Sequence, residues 1–167
     1  MLELPEFIGE DERPRVFARV LPLIEAHTPE LVLRDASAYL GFLTAQPEVS
    51  TGPVGVTGYC IGGLLAVRTA AAHPDQVAAF HAPVGAAGSE SFSRITAQAH
   101  FGHAASDLTP ETLGELNEAL DASGVNCTSE IYPGTVHGFT MADTDAFNSA
   151  GLHRHGERLL PLLGRTL

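Results

Sequence analysis

The chain has 167 residues, a formal net charge of −11 and a sequence pI near 5.0. Hydrophobic residues make up 44% and charged residues 17%, enough apolar matter for one packed domain across residues 1–167 and too little charge for a disordered chain. The acidic balance excludes a phosphate-backbone partner, which needs clustered Lys and Arg, and disfavours an anionic membrane surface. All nine basic residues are Arg. Without Lys, Schiff-base chemistry and a P-loop phosphate site are both excluded. Two cysteines, Cys60 and Cys127, are too few for a disulfide framework. No basic-apolar leader opens the chain and no apolar run approaches a membrane span. The expectation is a soluble, cytoplasmic protein with reduced thiols.

In chain order, Met1 to Glu12 is acidic and irregular. Val16, Val20, Leu23 and Ile24 then recur at helical spacing, with Pro22 among them. Thr28-Pro29-Glu30 opens a helix: a capping hydroxyl, Pro at the first helical position and an acid in the first turn. Leu33, Leu40 and Leu43 carry it to about Gln46, and Pro47 ends it. Pro53 to Thr57, β-branched and bounded by glycines, reads as a buried parallel strand. Ile61 to Ala72 is an Ala-rich helix ended before His73-Pro74. Gln76 to Phe80, Gln98 to Phe101 and Thr128 to Tyr132 read as three further strands. Between the last two, Thr109-Pro110-Glu111 repeats the earlier capping chemistry and opens a helix to about Ala122. A last helix is expected from Thr144-Asp145 to about Leu163, closed by Gly164. Strands alternating with helices predict a parallel sheet covered on both faces, a three-layer α/β/α architecture.

The chemistry concentrates at Gly58-Tyr59-Cys60-Ile61-Gly62-Gly63, between the first strand and its helix. This is a nucleophile elbow with Cys where most such enzymes have Ser. The sharp strand-to-helix turn leaves the nucleophile strained and exposed, and the helix start favours a thiolate. The N–H of Ile61 is the candidate oxyanion donor. The chain order nucleophile, acid, base nominates Asp107 and His137, each just after a strand and therefore on the rim where Cys60 emerges. His137 takes the thiol proton and Asp107 orients its ring. Taken singly, Cys60 is a buried structural thiol, and Asp107 and His137 are loop residues; order and placement together favour the site. Tyr59 and His81 are candidate substrate contacts, with a structural role the plainer expectation for His81. His100, His103, His153 and His155 show no second cluster at metal-ligand spacing and read as solvated histidines. Cys127 reads as a small core or surface residue.

With these residues placed, the sequence resembles the dienelactone hydrolase family from about Pro29 to the C-terminus. The resemblance rests on the run Gly52 to Gly63, on His100-Phe101-Gly102 leading to Asp107, and on Tyr132-Pro133-Gly134 leading to His137-Gly138-Phe139. It implies an α/β-hydrolase fold and a cofactor-free hydrolase with the triad Cys60, Asp107 and His137. The implied reaction is opening of a small lactone or carboxylic ester through a thioester acyl-enzyme, as in carboxymethylenebutenolidase. The family carries several strands before its elbow strand. Here only about fifty residues precede it, and they read as helices. The family's second oxyanion loop, an acid that manages the resting thiol and a substrate-binding Arg belong to that region. A second family Arg is replaced within Phe139-Thr140-Met141. The expectation is therefore an elbow strand at a bare sheet edge, covered in a homo-oligomer or by a complementing N-terminal portion. The alternative function is a catalytically impaired remnant acting as a subunit or interaction domain. A redox role for Cys60 lacks a resolving Cys nearby in sequence.

Overall fold

Both Thr-Pro-Glu tripeptides start helices, and for the expected reason. In the computed structural model, which describes residues 13–74, 77–82 and 92–167 (of residues 13 and 77–82 the backbone alone), Thr28 Oγ1 accepts the N–H of Leu31 at 3.4 Å and Thr109 Oγ1 that of Thr112 at 3.3 Å. Thr112 returns the bond by accepting the Thr109 N–H, closing a capping box. The helices are α1 (Arg13–Ala26), α2 (Pro29–Thr44), α3 (Ile61–Ala72), α4 (Pro110–Ser123) and α5 (Ser149–Thr166). The strands are β1 (Val54–Thr57), β2 (Val77–Ala82), β3 (Gln98–Ala104) and β4 (Cys127–Tyr132). The expected irregular segment at residues 1–12 lies outside the described residues.

The strands form one parallel sheet in the order β1-β2-β3-β4. β1 stands at its edge in the described residues, as the helical reading of the preceding segment implies. On one face, Val67, Ala70 and Ala71 of α3 and Leu120 of α4 bury Ala99 and Phe101 of β3. On the other face lies α5. Leu163 and Leu167 come so close to Gly55 that a Cβ there would stand 2.8 Å from Leu163, and Glu130 of β4 binds Arg154 and Arg158 of α5. This is the expected three-layer architecture.

Four features differ from expectation, beyond shifts of one or two residues at other element ends. α1 continues through Pro22, whose missing N–H costs one bond without ending the helix. β3 extends to Ala104, which brings its end closer to Asp107. The last helix starts at Ser149, not near Thr144-Asp145. Asn148 caps it, its side chain accepting the Gly151 N–H at 2.8 Å. Residues 141–147 instead make successive turns, Thr144 N–H to Met141 O and Phe147 N–H to Thr144 O. At the other end α5 runs through Gly164 to Thr166, because a helical glycine with no left-handed turn after it does not stop a helix.

Candidate active site

Cys60 has φ 53° and ψ −125°, the one positive φ of a non-glycine residue among those described. Such a conformation costs on the order of 1–3 kcal/mol and persists where the surroundings impose it. Here the bare Cα of Gly58 permits it. A Cβ on Gly58 would lie 1.9 Å from the carbonyl oxygen of Gly62, so glycine alone lets the strand end pass the helix start. The N–H of Gly62 closes the turn on Tyr59 O at 2.8 Å, and that of Gly63 on Cys60 O at 3.0 Å. Cys60 is exposed at the head of α3. Ile61 is the first residue of α3, so its N–H belongs to the first-turn amides without a helical acceptor.

The loop after β3 carries Asp107 and the loop after β4 carries His137. His137 Nδ1 and Asp107 Oδ2 are 2.9 Å apart. Ser106, on the first of these loops, ties it to the second: its hydroxyl donates to Asp107 Oδ1 at 3.1 Å and accepts the His137 N–H at 2.9 Å. One cavity of about 210 Å³ is lined by Cys60, Asp107 and His137 together with Tyr59, Phe139, Met141 and His155. The fold thus brings together the three residues nominated from the elbow motif and from order and placement. A larger recess of about 480 Å³ between the sheet and α5 contains none of them.

Tyr59 lines the cavity, as expected, and its hydroxyl lies 2.8 Å from His155 Nε2. For His81 the backbone alone is described, in register with Thr57 and His100; its side chain lies outside the described residues. The histidines read as solvated divide. His153 is exposed and faces Glu157 at 3.2 Å. His100, His103 and His155 are buried, at 2%, 1% and 4% exposure, because β3 is covered on both faces and α5 packs over the sheet. Burial lowers the pKa of His100 and of His103 to about 4, and lowers that of His155. His100 has partners on both ring nitrogens, Thr128 Oγ1 at 2.7 Å and Tyr132 Oη at 2.8 Å. Cys127 is half-buried against the core, and burial followed by the charge of Asp121 raises its pKa. Sequence reasoning missed Ser106 and His155. For Ser106 the signal was available in its position beside Asp107. For His155 nothing local distinguishes it from exposed His153.

A parallel sheet with helices on both faces, with a Cys at the turn between its first strand and the following helix sharing a cavity with an Asp–His pair on the loops after β3 and β4, is the architecture of an α/β-hydrolase. The profile of the dienelactone hydrolase family matches residues 6–167, and the chain belongs to that family. As a member of that family it is a hydrolase of the class that acts on ester bonds. No curated protein sequence matches it. Among solved structures, a putative dienelactone hydrolase from Klebsiella pneumoniae superposes with a TM-score of 0.78 at 19% identity, covering 91% of this chain and 67% of that one. A dienelactone hydrolase-like promiscuous phosphotriesterase from metagenomic libraries gives 0.72 at 22%, covering 89% and 68%. Dipeptidyl peptidase 4 from Porphyromonas gingivalis gives 0.66 at 16%, covering 83% and 23%. At these identities the likenesses establish the α/β-hydrolase fold. No described helix is long and apolar enough to cross a membrane.

Proposed function

We propose that the protein cleaves a small lactone or carboxylic ester with Cys60 as nucleophile. One observation carries the reading: Cys60, at positive φ on the elbow, lines the same small cavity as a His137–Asp107 pair joined at 2.9 Å. With Asp107 accepting from Nδ1–H, the His137 ring keeps Nε2 free to receive the thiol proton. The Cys60 thiolate then attacks the carbonyl carbon, and the oxyanion forms beside the Ile61 N–H. The tetrahedral species collapses to a Cys60 thioester. The leaving alkoxide takes the proton from His137; in a lactone it remains tethered as a hydroxyl. Water then attacks the thioester, gives a proton to His137, and the acid departs as the thiol re-forms.

A cavity of about 210 Å³ suits a small substrate, below the roughly 300–1,000 Å³ of drug-sized sites. Tyr59 and Phe139 supply flat apolar walls for it. The test compares turnover of a small lactone and of p-nitrophenyl acetate by the wild type and Cys60→Ala, with Cys60 alkylation followed against pH. Turnover abolished in the variant supports the mechanism. Turnover that survives it rejects Cys60 as nucleophile. An inert thiol without turnover assigns the chain instead to a subunit or interaction role.

A further inference from the structure

The residues of β1 alternate between two faces: Gly55 points toward Leu163 of α5 and Leu167 just past its end, and Val56 packs into the core beneath α3. Yet Val54, Gly55, Val56 and Thr57 all line one groove of about 450 Å³, together with Val32, Tyr39, Leu40 and Leu43 of α2. Residues of opposite faces share a lining where a groove follows the edge of their strand, unpaired on that side among the described residues. The rim is apolar and open, with Tyr39 and Leu43 at 70% and 45% exposure. A sheet edge of this kind presents backbone N–H and C=O groups to whatever covers it, and a helix laid along it is one of the covers proteins use.

The chain carries a surface of matching character elsewhere. On α1, Val16, Phe17, Val20, Leu21, Leu23 and Ile24 form an apolar stripe, every one of them exposed. No residue of α1 lines the groove. α1 also holds three of the nine arginines of a chain with net charge −11, Arg13, Arg15 and Arg19, against one acid, Glu25. The groove side is weakly acidic: Asp35 lines it, ion-paired with Arg34 at 2.8 Å, and with Glu30 in the first turn these leave α2 at −1 against +2 on α1. At about 1.5 Å per residue α1 is about 21 Å long, sufficient to span the roughly 13 Å of β1.

We propose that α1 of a second copy lies in the α2–β1 groove, and that the exchange is reciprocal, giving a two-fold dimer. The same two surfaces are then used twice, which closes the assembly. The stripe and the groove are both apolar, the helices that carry them are opposite in net charge, and both belong to this chain. Thr57 lines the groove three residues before Cys60, so the docked helix closes the ground beside the elbow.

Sedimentation equilibrium of the full chain, from about 1 to 100 µM, a range that brackets common dimer affinities, tests this by mass alone. Its outcome is therefore separable from any result on hydrolysis. The expected mass is twice 17.6 kDa. Val20→Glu with Ile24→Glu on α1, and separately Leu43→Glu at the groove rim, each weaken association at least tenfold while far-UV circular dichroism stays unchanged. These side chains are exposed in the single chain, so the variants leave its core intact. A monomer throughout the range overturns the proposal, and assigns the groove to α1 folding back or to a foreign partner. A dimer that survives either variant overturns it as well.

Discussion

The hydroxyl of Tyr59 and Nε2 of His155 lie 2.8 Å apart, 96 residues apart in sequence, and so join the residue before Cys60 to the last helix. His155 is buried and its pKa is lowered by that burial; burial also raises the pKa of Tyr59. Both groups are therefore neutral near pH 7, and a neutral bond of this kind contributes about 1 kcal/mol. Tyr59→Phe, His155→Phe and the double variant form a cycle readable by urea unfolding. The expected coupling is about 0.5–1.5 kcal/mol. Single-variant effects that simply add would show that the contact does not tie the elbow to α5.

Function and stability separate at Asp107. The His137 side chain is 57% exposed and that of Asp107 27%, so the pair adds little to folding. Asp107→Asn is expected to shift the unfolding midpoint only slightly while lowering kcat on the order of 10³–10⁴-fold, since the imidazole loses the partner that sets its tautomer. Paired kinetic and denaturation measurements check this. A large stability loss with modest kinetic loss would assign the pair a structural role.

Gly58 behaves in the opposite way. A Cβ there meets backbone atoms, Gly62 O at 1.9 Å and Gly63 N at 2.7 Å, and backbone cannot swing aside as a side-chain tip can. Gly58→Ala is expected to cost at least about 2 kcal/mol and to abolish turnover. Gly55→Ala meets only the ends of Leu163 and Leu167 and should be much milder. Thermal unfolding of the two variants side by side gives the ranking; equal effects would contradict the geometry of the elbow.

The placement of the elbow, Asp107 and His137 on one rim was legible because such a turn restricts the local chain. A strand, a small-residue turn and a helix must follow one another, and the partners come later on the same sheet rim. The capping threonines were legible for the same local reason. The burial of His100 was not: its two partners, Thr128 and Tyr132, stand on the neighbouring strand, 28 and 32 residues away. The start of α5 was misplaced because Thr144, Asp145 and Asn148 are all acceptable caps. Only the turns folded over residues 141–147 decide for Asn148.

The buried histidines set an acid limit on stability. His100 and His103 hold pKa values near 4 in the fold, against about 6.5 when unfolded. Below about pH 6.5 the unfolded chain takes up protons that the native one refuses. Stability from these residues is thus full above pH 6.5 and falls as pH drops toward 4, by at most about 3 kcal/mol for each. Urea midpoints across that window test it. His100→Gln, which keeps polar atoms on the side chain without titrating, should flatten part of the slope; an unchanged slope would remove His100 from the account.

The central claim is that Cys60 carries the acyl group. Intact-mass spectrometry after brief mixing with p-nitrophenyl acetate, followed by peptide mapping at low pH to preserve the thioester, measures it directly. The account predicts one acetyl adduct per chain on the peptide containing Cys60, decaying as turnover proceeds and absent in Cys60→Ala. Hydrolysis at the wild-type rate in Cys60→Ala, or an adduct that maps to Cys127 instead, would contradict it.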